Sequence, residues 1–329
     1  YQSEYNKYWE DVMFDNEELV NFKPDLIHIQ TDFSIGQFGK IVAKKLKVPV
    51  VYTYHTDYED YTYYITKGMA DRLLKKVVRA YNRTSAKNVT EFITPSLKTM
   101  DQMRSTGIDS FINVVPTGID FSLFKEDKID KEAQQKFKKA HGINDKTKVF
   151  LILGRIAQEK SIDVSIKGFH EFRQIYKDIP CKLLVVGDGS QRAEYQNLVY
   201  ELKEEANVEF LGKVDAQNVP FYYHLADIYT SASVTETQGL TFMESMASGT
   251  IVLARFDSQL SDTIIDGETG FYFHDSKSFA EKSYEILNLS KEEKERIANK
   301  AYEIVDQYSI EKFYENIMRV YNRAIRRKW

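Results

Sequence analysis

The chain has 329 residues, of which 43% are hydrophobic and 29% charged, and a formal net charge of −4. That balance excludes a disordered tail, a collagen-like fibre and a globally basic nucleic-acid binder, and the single Cys181 excludes a disulfide-stapled scaffold and favours a reducing compartment. No apolar run approaches the ~18 residues of a membrane-spanning helix, and the length suits about two domains.

Short apolar runs alternate with longer amphipathic stretches, which predicts α/β structure with parallel sheets. The first strand is expected at Leu26–Gln30, after the breaker pair Pro24-Asp25, with a helix over Ile35–Leu46. Pro49–Tyr54 reads as the next strand and delivers His55. A long basic helix is expected over Met69–Ala86, then a short strand at Phe92–Thr94 and a helix opened by Pro95-Ser96. Ile112–Val115 reads as a strand closed by Pro116-Thr117-Gly118. The charged stretch 126–145 reads as a linker with at most one short helix. Beyond it come strands at Val149–Leu153, Leu183–Val186, Val208–Leu211, Ile228–Ser231 and Ile251–Leu253, separated by helices, and a last helix around Ile310–Lys328. Two parallel α/β domains follow: 1–125 on one side of the linker and 146–309 on the other, with 310–329 as a C-terminal helix crossing back to the first.

In open α/β sheets, ligands sit beyond the C-terminal ends of the strands. Gly154-Arg155, with Lys160 five residues on, suits a diphosphate: glycine lets backbone approach, arginine grips two oxygens, lysine adds a point charge. A solvated turn with surface cations reads as well. Gly187-Asp188-Gly189-Ser190 either cradles a ligand or simply turns the chain, and Arg192 stands where a dinucleotide fingerprint needs a third glycine. In Glu236-Thr237-Gln238-Gly239-Leu240-Thr241-Phe242-Met243-Glu244, Gly239 and Leu240 open a helix whose free N–H groups favour a phosphate. Glu244 lies one turn beyond Leu240, and its carboxylate can accept two hydroxyl hydrogen bonds, as from a ribose diol. Glu236 precedes the helix, near where a sugar beyond the phosphate would lie. Dipole complementation alone explains Glu236 but not Glu244. His55 stands directly after a strand, among six tyrosines between Tyr52 and Tyr64 that suit carbohydrate, lipid or plain packing. No metal-ligand spacing, nucleophile elbow or Walker loop is present.

Glu236 and Glu244, with seven residues between them that include Gly-Leu, resemble the hallmark of the retaining family-4 glycosyltransferases, which have the GT-B fold. Gly154-Arg155…Lys160 resembles that family's diphosphate signature, and Pro116-Thr117-Gly118-Ile119-Asp120 its segment before the linker. Pro24-Asp25-Leu26-Ile27-His28 and Gly187-Asp188-Gly189 are similar to further landmarks, in the same order along nearly the whole chain. Thr53-Tyr54-His55-Thr56…Tyr58-Glu59-Asp60-Tyr61 and Ser231-Ala232-Ser233…Thr241 narrow the resemblance to the diacylglycerol glucosyltransferases of low-GC Gram-positive bacteria. The resemblance implies transfer of glucose from UDP-glucose to 1,2-diacylglycerol with an α linkage, by front-face attack, with no metal or other cofactor. It implies that Gly154, Arg155 and Lys160 hold the diphosphate beside Gly239 and Leu240, that Glu244 takes the ribose and Glu236 the sugar, and that backbone at Lys213 and Val214 meets the uracil. His55 would contact the sugar from the first domain, with Asp57, Tyr58 and Tyr61 on the acceptor side. Where the family has Gly-Gly-x-x-Glu, this chain reads Asp257-Ser258-Gln259-Leu260-Ser261.

Residues 67–87 carry seven basic residues and Asp71 as their only acid, and Leu73, Leu74, Val77, Val78 and Tyr81 fall at helical spacing. Such a segment suits an anionic membrane surface, as does 319–329, and equally suits a surface helix with its apolar face inward. The expected setting is cytoplasmic, peripheral on the inner face of the cell membrane. Two rivals stand beside a lipid acceptor: the same donor chemistry on a polysaccharide, cell-wall or protein acceptor, and a non-catalytic scaffold. The chain begins at Tyr1, and its first half offers four strands against an expected six or seven in the second, five of them placed above, so leading strands are expected to be missing.

Overall fold

The computed structural model describes residues 21–55, 71–233, 239–257, 260–261 and 263–327. The chain divides into two compact units, 1–118 with 310–329, and 119–309.

The first unit holds β1 (Ile27–Ile29), α1 (Phe33–Leu46), β2 (Val50–Thr53), α2 (Asp71–Ser85), β3 (Glu91–Thr94), α3 (Leu97–Ser105) and β4 (Ile112–Val114). The strands form a parallel sheet in the order β1-β2-β3-β4. Every residue of β2 and β3 is buried, the near-continuous burial of a parallel sheet covered on both faces. Period-two alternation splits β2 between two cores. Val50 and Tyr52 pack with Ala43, Phe92 and Met103. Val51 packs with Ile93, Val115 and the inner stripe Ile317, Val320 and Ala324 of the C-terminal helix at Ile310–Arg326.

That helix is tied down by charge as well. Buried Glu91 accepts from Arg323 Nε at 2.7 Å, from Arg327 at 3.1 Å and from Asn113 Nδ2 at 2.9 Å. Burial alone would raise the Glu91 pKa, but the bonds from Arg323 and Asn113 outweigh it and hold the carboxyl below its ordinary value.

The second unit continues with α4 (Lys131–Ala140), β5 (Lys148–Leu153), α5 (Ile162–Ile175), β6 (Cys181–Val186), α6 (Arg192–Glu201), β7 (Val208–Gly212), α7 (Val219–Tyr223), β8 (Ile228–Ser231), α8 (Leu240–Ala247), β9 (Ile251–Arg255), β10 (Phe271–Phe273), α9 (Ser276–Asn288) and α10 (Lys291–Asp306); the C-terminal helix of the first unit is α11. Its parallel sheet runs β10-β9-β8-β5-β6-β7. Chain order therefore reverses between β5 and β8, the topological switch point of a doubly wound sheet. On one face, α5 and α9 close over Phe150, Phe169 and Phe279. They approach so closely that a Cβ on Gly168 would lie 2.5 Å from the Phe279 ring. The other face holds Tyr223, Phe242 and Met246 of α7 and α8.

The stretch 126–145, read from its charge as a linker, belongs to this second unit. Asp130 caps α4 by accepting from the Ala133 N–H at 2.9 Å, and Gln134 on its buried side donates to the Phe221 carbonyl at 3.1 Å. Phe121, Phe124 and Ile143 enter the core below α8. Most of the lysines that make the segment look like a linker, Lys131, Lys136 and Lys139, lie on the exposed face of the amphipathic helix α4.

Candidate active site

Three glycines close the ends of β5, β6 and β7. Gly154 (φ +143°) donates its N–H to the Val186 carbonyl at 3.0 Å, and Gly187 (φ +139°) donates to the Gly212 carbonyl at 2.8 Å. A Cβ at Gly187 would fall 1.8 Å from the Gly154 carbonyl oxygen. The next turn is as tight: Ile156 N–H donates to the Asp188 carbonyl at 3.0 Å, and a Cβ at Gly189 would lie 2.2 Å from the Ile156 carbonyl oxygen. The strand ends thus form a continuous backbone floor, in which Gly187-Asp188-Gly189 packs directly against the segment that follows β5.

Arg155 projects from this floor, with its guanidinium 2.6 Å from Glu159 and the side chain 57% exposed. Glu159, whose pairing the motif reading missed, sits in a short turn of 3-10 helix, Gln158–Lys160, that ends on Lys160. Ser161 follows in the left-handed region at φ +48° and opens α5. The sequence signal for Glu159 is its i, i+4 spacing from Arg155. Lys213, exposed, and Val214, packed on the core, directly follow Gly212, so they sit beside Gly187.

Across the switch point, β8 leads toward α8. Gly239 takes φ +71° at the helix N-terminus, with the Phe242 ring 2.8 Å from where its Cβ would be, and Leu240 is exposed. Glu244 is half-buried and accepts a hydrogen bond from the Tyr223 hydroxyl at 2.9 Å. Burial raises its pKa, partly offset by that bond. The structure thus brings Gly154, Arg155, Lys160, Lys213, Val214, Gly239, Leu240 and Glu244 into one unit, their strands adjacent in one sheet. Glu236, Ser258 and Gln259 lie outside the described residues, as do Asp57, Tyr58 and Tyr61.

His55 belongs to the first unit. Its Nε2 lies 3.1 Å from Gln30 Oε1 at the end of β1. Burial lowers its pKa, with the nearby Asp32 carboxylate opposing. His28 bridges the Tyr321 hydroxyl and Thr53 Oγ1, at 2.7 Å each, and burial, reinforced by His55, lowers it to about 4. Asp32 accepts from the Tyr52 hydroxyl. Gln30 and Asp32 were not picked out from the sequence, although they follow a strand end as His55 does. Among the described residues, no group of three or more His, Cys, Asp or Glu side chains is placed to hold a metal ion.

The family model for group 1 glycosyl transferases matches residues 133–304, and that for glycosyltransferase family 4 matches residues 4–123. The chain belongs to these glycosyltransferases. An alpha-monoglucosyldiacylglycerol synthase of Streptococcus pneumoniae is 34% identical over 92% of this glycosyltransferase and 67% of its own length. One of Acholeplasma laidlawii is 34% identical over 78% of this chain and 65% of its own. The glycosyltransferase thus spans about two thirds of the length of these curated relatives. Among solved structures, Anabaena HepE in complex with UDP-glucose superposes with a TM-score of 0.74 at 18% identity, covering 93% of this chain and 81% of that one, which establishes the GT-B fold.

On the first unit, Lys76, Arg79 and Arg83 of α2 are exposed. Of the basic residues near the C-terminus, Arg323 and Arg327 are committed to Glu91. Among the described residues, no helix is long and apolar enough to cross a membrane.

Proposed function

We propose that this glycosyltransferase moves glucose from UDP-glucose to a lipid acceptor, 1,2-diacylglycerol, with retention of the α configuration. The observation that carries the donor half is the switch point of the second sheet, where β5 ends in Gly154-Arg155 and β8 leads to Gly239 and Glu244. Arg155, Lys160 and the N-terminus of α8 neutralise the charge that grows on the diphosphate as it leaves, which makes a divalent cation unnecessary. Glu244 accepts the ribose hydroxyls, backbone at Lys213 and Val214 meets the uracil, and Glu236 holds the glucose. His55 contacts the sugar where it reacts, with Asp57, Tyr58 and Tyr61 on the acceptor side. The name of the two relatives at 34% identity supports the acceptor. An acceptor that stays in the bilayer calls for an enzyme peripheral to the inner face of the membrane, drawn there by the cations of 67–87.

The test is incubation with radiolabelled UDP-glucose and diacylglycerol in mixed micelles. The expected product is a glycolipid whose anomeric proton has the α coupling constant. UDP release without glycolipid would overturn the acceptor, and a β product would overturn retention.

A further inference from the structure

At the start of α1 the chain does something costly. Phe33 stands in the left-handed region at φ +59°, a conformation that a bulky residue adopts only when its surroundings impose it. Those surroundings include Tyr81 of α2: its hydroxyl accepts the Phe33 N–H at 2.9 Å, and the two rings stack with centroids 5.3 Å apart. The clamp does not bury the ring. Phe33 remains 59% exposed, Ile35 is 65% exposed, and Val77, one turn before Tyr81 on α2, is 57% exposed. The same helix α2 carries the exposed cations Lys76 and Arg79, and Arg83, which also donates to the Thr106 carbonyl at 3.2 Å.

Backbone strain that holds an aromatic ring in water is explained by an environment that is not water. An apolar cluster next to cations on one helix matches the layering of an anionic bilayer, where acyl chains lie below charged headgroups. We infer that Phe33, Ile35 and Val77 enter the interfacial layer of an anionic membrane while the α2 cations meet the lipid headgroups. This rests on the membrane reading above and adds to it an apolar anchor that reaches beyond the basic segment, to Phe33 and Ile35 of α1. Charge draws the protein to the surface, and the clamped ring and its neighbours fix its depth and orientation.

The test places a reporter at the anchor. Cys181 is buried with its thiol pushed up to about 12, so a cysteine introduced by Ile35→Cys labels selectively. With an environment-sensitive fluorophore there, and vesicles of phosphatidylglycerol and phosphatidylcholine carrying nitroxide on the acyl chains, the emission should shift to the blue and be quenched. The double variant Phe33→Ser with Ile35→Ser should lose about ten-fold in vesicle partition, the loss expected for removing partly inserted apolar side chains, at unchanged UDP affinity. Protein that sediments with the vesicles while the fluorophore stays unquenched, or a double variant that partitions normally, would overturn the anchor and leave the membrane reading standing. Wild-type protein that does not sediment with anionic vesicles would overturn both.

Discussion

The Tyr223 hydroxyl donates to Glu244 Oε2 at 2.9 Å, and the phenol that does so is fully buried. The bond aims one carboxylate oxygen and partly offsets the burial that opposes its charge. A folded-state pKa raised above the unfolded value means that the group's contribution to stability is full below the unfolded pKa and is lost as pH rises through the folded one. Glu244→Gln should therefore raise the melting temperature of the ligand-free protein at neutral pH by a few degrees, roughly what 1 kcal/mol gives at this size, and the gain should shrink in acid. The same change should weaken UDP by about ten- to a hundred-fold, since hydrogen bonds to a charged acceptor contribute ~1.5–3 kcal/mol. Calorimetry showing unchanged UDP affinity would remove Glu244 from the donor site.

Gly154 and Gly187 make a sharper contrast. Both have φ near +140°, but a Cβ at Gly154 meets nothing within 4 Å, whereas one at Gly187 meets the Gly154 carbonyl oxygen at 1.8 Å. Gly154→Ala should cost only the backbone term, about 1–3 kcal/mol. Gly187→Ala must also push the ends of β5 and β6 apart and should cost distinctly more, with UDP binding lost. Chemical denaturation of both variants checks the order, and equal losses would contradict the packing.

This contrast marks what a linear sequence can disclose. Gly154-Arg155 after an apolar run is legible, because strand ends bind ligands and the run is long. That Gly187 must be glycine is not, because the obstructing atom belongs to another strand. β10 was missed because Phe271–Phe273 is three residues long, too short for a period to register. The segment 126–145 misled for the opposite reason: its many charges are visible in sequence, while the burial of Gln134 on the inner face of α4 is a tertiary fact. Gln30 and Asp32 carry no motif and gain meaning only from the register that sets β1 beside β2.

His55 offers a prediction in pH. Nε2 lies 3.1 Å from Gln30 Oε1, an arrangement that suits the tautomer with its proton on Nε2 and its lone pair on Nδ1. Burial lowers its pKa from the ordinary 6.5, so the ring is neutral at physiological pH and the acid limb of the rate profile should fall below that value. Gln30→Glu puts a carboxylate against Nε2, favours the charged ring, and should move the limb upward. His55→Ala should cut turnover by at least about a hundred-fold, as expected for a positioned proton-bearing group, and spare UDP binding. Normal turnover by that variant would end the assignment.

The last prediction concerns α11. Arg323 grips Glu91 with two nitrogens, at 2.7 and 3.0 Å, and the Glu91 side chain is 1% exposed. Removing one partner of a buried pair leaves a charge with poor solvation, so Arg323→Ala should cost about 3 kcal/mol. Arg326, exposed on the same helix, should be replaceable by alanine within about 0.5 kcal/mol. Glu91 has a depressed folded pKa, so its stabilisation is present above the unfolded value of 4.5 and fades as pH falls through the folded one. Urea denaturation at pH 7 and pH 3 should therefore separate wild type from Arg323→Ala widely at the first and narrowly at the second. A basic C-terminus serving only the membrane would give the opposite pattern: equal stability for both variants at pH 7, and equal losses of vesicle binding.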